Sequence, residues 1–270
     1  MSQSQPLKIL TIAGSDSGGA AGLQADLKTF AALGVYGMSA VTVVTAQNSE
    51  RVAALQALPA ALVAAQIDVV LQDYGAAAIK TGFLGSVALV EAVAQALQPY
   101  RRQQALPLVV DPVLVNHKGE PMFGAEVTDA YRRLLLPGCT IVTPNCREAA
   151  LLCGLTVATW AQVAAAARQL CQMGAESALI TGARRDGVYG DAWCDGQEVT
   201  LLEVRRVETS NTHGSGDTLS AAIAAFLGRG LPAVDALRRA QAFTAAAIQG
   251  AVSWRMGGGH GPVDHTVTDL

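Results

Sequence analysis

Leu7-Lys-Ile-Leu-Thr-Ile-Ala13, Gly14-Ser-Asp-Ser-Gly-Gly19, Ala20–Leu33 and Met38–Thr45 follow one another near the start of the chain, and their order decides the fold. The first is a short apolar run ended by a glycine-bearing break, which reads as a buried strand. Ala20–Leu33 reads as a helix. Gly34 ends it, since glycine readily takes the left-handed conformation past a helix terminus. Met38–Thr45 is rich in Val and Thr, residues that fit a pleated surface, and reads as a second strand. Strand, helix and strand in succession make a crossover unit with parallel strands.

The same alternation continues outward from this unit. Pro59–Leu71 reads as a helix with proline at its start, where the missing N–H costs nothing. Ala76–Ile79 is a strand, Ser86–Leu97 a helix, and Leu108–Val110 a strand stopped by Asp111-Pro112. Ala125–Leu136 is a helix, and Thr140–Thr143 a strand stopped by Pro144. Helices follow at Arg147–Cys153 and Ala161–Met173, then a strand at Ser177–Thr181. Val188–Cys194 and Glu198–Val204 flank Asp195-Gly196, a hairpin signal. Two helices close the chain, from about Ser215 to Leu227 and from Val234 to about Ile248. The expectation is an α/β fold: a mainly parallel sheet with helices on both faces and a late antiparallel hairpin at one edge. With no repeat or linker, residues 1–270 read as one domain.

Composition narrows the function. A chain of 270 residues with 51% hydrophobic content can bury a sizeable core. The net charge is −3, and the arginines are scattered in pairs, so nucleic-acid binding has no basic patch to rest on. Every apolar stretch is interrupted before the roughly 18 residues that a membrane helix needs. Met1–Pro6 lacks the basic start and apolar run of a secretory leader. Five cysteines without a CxxC pair read as free thiols in a reducing cytoplasm. These features point to a cytoplasmic protein acting on a small molecule. The alanine-rich helices are compatible with a homodimer.

Open parallel sheets bind ligands at the carboxyl ends of their strands. Those ends here are polar or glycine-bearing: Gly14–Gly19, Thr45–Asn48, Lys80-Thr81-Gly82, Asp111-Pro112, Thr143-Pro144-Asn145 and Thr181-Gly182. The informative stretch is Asn211-Thr-His-Gly-Ser-Gly-Asp-Thr218, which runs into the apolar helix Leu219–Leu227. Gly214 and Gly216 permit a tight turn and close approach of a ligand to the backbone. The free N–H groups and positive dipole end of the helix point back into the turn, which suits a phosphoryl group. Asp217, on the first turn, is placed to accept a proton from an attacking hydroxyl. The same residues also read as a glycine turn leading into a helix with one charge on its first turn. A P-loop is excluded because none of the four lysines follows a glycine, and the loop after the first strand lacks the dinucleotide spacing.

Six signatures in order resemble the ribokinase-like superfamily, and within it the hydroxymethylpyrimidine/phosphomethylpyrimidine kinases of thiamine biosynthesis. They are Thr11–Gly19 with Gly22–Phe30, Thr45–Asn48, Val110-Asp-Pro-Val113, Thr143-Pro-Asn145 with Glu148, Asn211–Ser220, and Gly259–His265. The resemblance implies a ribokinase-like fold and phosphoryl transfer from ATP with Mg²⁺ to 4-amino-5-hydroxymethyl-2-methylpyrimidine and its monophosphate. It implies Asp217 as base, with Gly214, Ser215 and Gly216 around the phosphoryl group. Gln47, Gly14, Asp16, Gly18 and Gly19 would meet the pyrimidine, with Phe83 and Val113 as apolar walls. Asn145 and Thr181 would face the ATP phosphates, and Glu148, with Asp111, would organise the metal.

The chain departs from the pattern it resembles. Asp217 stands where this kinase branch commonly carries cysteine and the wider superfamily aspartate. Thr181-Gly-Ala-Arg184 replaces a Lys-Gly-Gly-His, which removes a cation expected near the phosphates. Arg184 or Lys118 is the expected substitute. A pyridoxal kinase, whose substrate also bears a hydroxymethyl group on an aromatic ring, is the alternative enzyme. A pyrimidine-binding sensor with weak catalysis is the alternative outside enzymes.

Overall fold

The structure is a computed structural model that describes residues 5–103 and 105–267. Nine strands form one sheet: β1 (Lys8–Ser15), β2 (Tyr36–Gln47), β3 (Val52–Ala57), β4 (Ala78–Thr81), β5 (Leu108–Val110), β6 (Ile141–Val142), β7 (Ala178–Arg185), β8 (Val188–Cys194) and β9 (Val199–Glu203). Their order is β3-β2-β1-β4-β5-β6-β7-β8-β9. The strands from β2 through β7 in that order are parallel, whereas β3, β8 and β9 pair antiparallel at the two edges.

Alternation along the strands divides the core into two layers. Leu10, Ile12, Ile79, Leu108 and Val110 face one side. There they pack on α2 (Ala60–Asp73), α3 (Val87–Gln103), α4 (Ala125–Ala130), α5 (Cys146–Cys153) and α6 (Trp160–Gln172). Ile9, Ala78 and Val109 face the other, under α7 (Ser215–Gly228) and α8 (Ala233–Gly250), with Phe30 of α1 (Gly22–Ala32). Strands buried on both faces read as continuous apolar runs, which is why β5 and β6 are short yet legible.

Four features differ from the sequence expectation. β3 was not expected: its six residues, Val-Ala-Ala-Leu-Gln-Ala, are all exposed and carry no buried-face pattern. It forms because Asn48 Oδ1 accepts from Glu50 N and Arg51 N at 3.0 and 2.9 Å, turning the chain back along β2. α3 runs to Gln103, past Leu97, although Pro99 lies within it. Pro99 and Gln95 are both on the exposed side, so the carbonyl that loses its partner faces water. α4 passes into a π-helical turn at Tyr131–Leu135, where Leu136 N donates to Tyr131 O. The antiparallel edge also starts earlier than expected, because β7 continues to Arg185 and turns at Asp186-Gly187 into β8.

Candidate active site

The chain leaves β1 toward β2 on one side and returns to β4 on the other, so ligands are expected in the crevice beyond the carboxyl ends of β1 and β4. A cavity of about 410 Å³ lies there. Of the residues singled out in the sequence, Gly14, Asp16, Gln47, Phe83, Asp111, Val113, Asn145, Glu148, Thr181, Gly214, Ser215, Gly216 and Asp217 line it. Gly18, Gly19, Arg184 and Lys118 do not. The lining also holds Val52 and Leu55 of β3, together with His213 and His260.

The turn before α7 is built around Gly214. Its φ is +81°, and a Cβ there would lie 1.8 Å from the carbonyl oxygen of Ala20. Only glycine meets both constraints. The Thr218 amide and hydroxyl each donate to Gly214 O at 2.8 Å and close the first turn. No side chain caps α7, and a Cβ at Gly216 would meet open space. The helix start is therefore open to an anion.

Asp217 Oδ1 lies 3.2 Å from the Nζ of Lys80. Lys80 is the third residue of β4 and has no solvent exposure. Its Nζ also donates to Asp26 Oδ1 at 2.5 Å, and Asp26 Oδ2 accepts from the Thr11 hydroxyl at 2.6 Å. Burial favours the neutral amine, but the carboxylates of Asp26, Asp217 and Asp111 overrule it and hold the ammonium form. The sequence flagged Lys80 only as part of a polar strand end. A lysine inside a four-residue buried strand was the available signal, because such a charge needs a counter-ion.

Asp111 follows β5 and accepts from the Ser220 hydroxyl at 2.7 Å. Burial pushes it up to about 6, against the pull of Lys80. Asn145 and Glu148 form a reciprocal cap on α5. Asn145 Oδ1 accepts from Arg147 N and Glu148 N, and Glu148 Oε2 accepts from Asn145 N at 3.0 Å. Glu148 Oε1 also accepts from Leu114 N. Burial, then the nearby Asp111, push Glu148 up to about 8.

Gln47 ends β2, and its Nε2 lies 3.3 Å from His213 Nε2. Ser17 ties the first loop to the same strand end, donating to Gln47 O and accepting from Gln47 N. Asp16 lines the cavity, yet its own loop engages both carboxylate oxygens. Oδ1 accepts from Gly18 N, and Oδ2 accepts from Ala20 N and Ala21 N. These bonds make Asp16 an organiser of the loop while it also lines the cavity. Gly18 and Gly19 belong to the same loop, behind the cavity wall.

Neither expected substitute cation reaches the cavity. The Arg184 guanidinium stacks on the Tyr189 ring, 5.1 Å from its centroid. Lys118 itself is not in the lining, although its neighbours Asn116 and His117 are; its backbone amide is held by Asn116 Oδ1 and its carbonyl by Arg147. The cation that the fold delivers to Asp217 is Lys80.

A second cleft of about 390 Å³ adjoins the first and shares Thr181, Thr212, Ser215, Gly216 and Leu219 with it. Its other walls include Val204, Val207, Thr244, Ala245 and Ile248. Sequence reading missed these residues, because ordinary residues on α8 and in the segment after β9 carry no motif.

Comparison with known proteins agrees with this geometry. The chain matches the phosphomethylpyrimidine kinase family over residues 16–264. It is 42% identical to the hydroxymethylpyrimidine/phosphomethylpyrimidine kinase of Rhizobium meliloti over 258 residues, 95% of this chain and 96% of that one. Its structure resembles the ADP complex of Bacillus subtilis pyridoxal kinase, with TM-score 0.87 and 34% identity over 97% of this chain and 98% of that one. It also resembles the phosphomethylpyrimidine kinase of Clostridium difficile, with TM-score 0.79 and 32% identity over 90% and 99%. The nine-stranded sheet, the open helix start beside Asp217 and these likenesses together establish that the chain is a phosphotransferase belonging to the phosphomethylpyrimidine kinase family.

Proposed function

We propose that the chain phosphorylates 4-amino-5-hydroxymethyl-2-methylpyrimidine, and then its monophosphate, with ATP, as a step of thiamine biosynthesis in the cytoplasm. The observation that carries this reading is the position of Asp217. It stands at the uncapped start of α7, where the two clefts meet at Ser215–Gly216. A pyrimidine in the first cleft brings its hydroxymethyl oxygen to Asp217. ATP in the second lays adenine against Val207, Ala245 and Ile248 and its phosphates along the α7 amides. The hydroxyl oxygen bonds to the γ-phosphorus as the bond to the ADP oxygen breaks, and Asp217 takes the hydroxyl proton. Gln47, able to donate and accept at once, suits the edge of an aminopyrimidine.

Asp111 and Glu148 fit a divalent cation. Both are buried carboxylates on one cavity, and each is pushed up by burial. Magnesium held there, completed by phosphate and water oxygens, would neutralise phosphate charge.

The likeness to pyridoxal kinases favours one second reading, in which pyridoxal occupies the first cleft. The two are separated by incubating the protein with ATP, Mg²⁺ and either alcohol, and quantifying phosphorylated product. The pyrimidine is expected to be turned over with the higher kcat/KM, and a preference for pyridoxal would reverse the assignment.

A further inference from the structure

We propose that Lys80, anchored by Asp26, is a positioning residue for phosphoryl transfer: it fixes the Asp217 carboxylate by one oxygen and leaves the other for the substrate hydroxyl. This deepens the proposed function and rests on Asp217 being the base. Lys80 sits on a rigid central strand, paired with β1 and β5 on its two sides. Two of its three ammonium donors are aimed, at Asp26 and Asp217. Asp26 is itself fixed by Thr11 on the neighbouring strand. Three elements, β1, β4 and α1, thus converge on one carboxylate at the start of α7. Among the described residues, no hydrogen bond reaches Asp217 Oδ2, and Asp217 lines the cavity.

The titratable groups facing this group are few: Asp26 from α1, Asp111 at the end of β5, and His265 from the C-terminal segment through Thr218. Lys80 is the cation among them that touches Asp217. A fully buried ion pair is weak evidence of stability, because apolar residues of similar volume pack as well without the desolvation cost. Here the buried cation has a second carboxylate to hold, and that carboxylate faces the reacting group. This also suits a site in which Thr181 supplies no charge and the Arg184 guanidinium is stacked on Tyr189. Lys80 is immobile, with no exposed surface, so it acts on Asp217 and does not travel with ATP.

The test uses Lys80→Met, Asp217→Asn, their combination, and Lys80→Met with Asp26→Asn, assayed at saturating ATP and pyrimidine. Displacing a base by a fraction of an ångström to 1 Å costs about 10²-fold. Lys80→Met is therefore expected to lower kcat by about that factor while KM for both substrates stays close to the parent value. In the Asp217→Asn background the same change is expected to cost little more, because residues acting as a unit are not additive. A Lys80→Met enzyme with parental kcat overturns the proposal. So does an equal loss in both backgrounds, which marks a structural role, or a loss confined to KM. If Asp217→Asn itself keeps parental turnover, the base assignment fails and this proposal with it. Parental kcat in Lys80→Met beside a slow Asp217→Asn sinks the proposal alone. Where Lys80→Met leaves Asp26 charged and unpaired and does not fold, the double variant with Asp26→Asn carries the measurement. A double variant that also fails to fold assigns the pair to the framework and overturns the positioning role.

Discussion

Gly214 and Ala20 are in backbone contact: a Cβ on the glycine would overlap the alanine carbonyl oxygen at 1.8 Å. The turn before α7 is thereby locked to the loop that leads into α1, which also lines the cavity. The contact joins residues almost two hundred positions apart. Gly214→Ala meets both this overlap and an unfavourable positive φ. Such strain costs about 2–3 kcal/mol, so Tm is expected to fall by roughly 5–10 °C, with kcat/KM falling alongside. An alanine variant with parental Tm and activity would show that the contact is not needed.

Asp217→Asn removes the proton acceptor and keeps the shape of the side chain. We expect kcat to drop by about 10²-fold or more, with pyrimidine binding by calorimetry close to parental. Near-parental turnover would take Asp217 out of the chemistry.

Gln47→Leu removes the amide proposed to read the pyrimidine edge. Leaving the polar edge of the ligand unpaired is expected to weaken pyrimidine binding by roughly 1–3 kcal/mol. Nucleotide affinity should hardly move, since Gln47 lines the first cleft and not the second. Equal losses for both ligands would mean that Gln47 serves the loop and not the substrate. His213, 3.3 Å from the same amide, is the residue through which such a loss would spread.

His265 accounts for a predictable acid sensitivity. Burial, then the charge of Lys28, hold its imidazole down at about 4, and its Nε2 contacts the Thr218 hydroxyl at 2.9 Å. The unfolded chain binds this proton near the usual 6.5, so between those values it binds more protons than the folded protein. Stability is then complete above about 6.5 and is lost as the pH falls toward 4. With about 1.4 kcal/mol per pKa unit, His265→Gln is expected to remove up to roughly 3 kcal/mol of the difference between pH 7 and pH 4. Parallel denaturation curves for parent and variant across that range would exclude His265 as the source.

Most of the fold is legible because buried strands and glycine breaks are local signals. Leu108–Val110 is the clearest case: three apolar residues between polar stops, and a strand with those same bounds. β3 is illegible for the opposite reason. Its side chains are exposed, and its existence depends on the Asn48 turn and on an edge of β2 left open for pairing. The site divides in the same way. Gly214–Asp217 announces itself through glycine spacing before an apolar helix. Lys80 and Asp26 lie 54 positions apart and meet only through the register of β1 with β4. The Asp16 carboxylate was legible as polar but not as engaged, because its partners are backbone amides that carry no sequence identity.

Three helices begin at the cavity, and their ends are not equivalent. At α1 the carboxylate of Asp16 already stands against the amides of Ala20 and Ala21. At α5 the side chains of Asn145 and Glu148 have closed the cap. α7 arrives with no side-chain cap, and its start carries Asp217. A pyrimidine monophosphate carries an anionic group that would suit any bare helix start, and a kinase working twice on one substrate must keep that group from docking in a dead-end pose. With carboxylates already set at the α1 loop and on the α5 cap, an incoming phosphate meets its own charge at two of the three ends and bare amides at α7. Orientation of the charged intermediate is thus encoded by what the other two helices withhold.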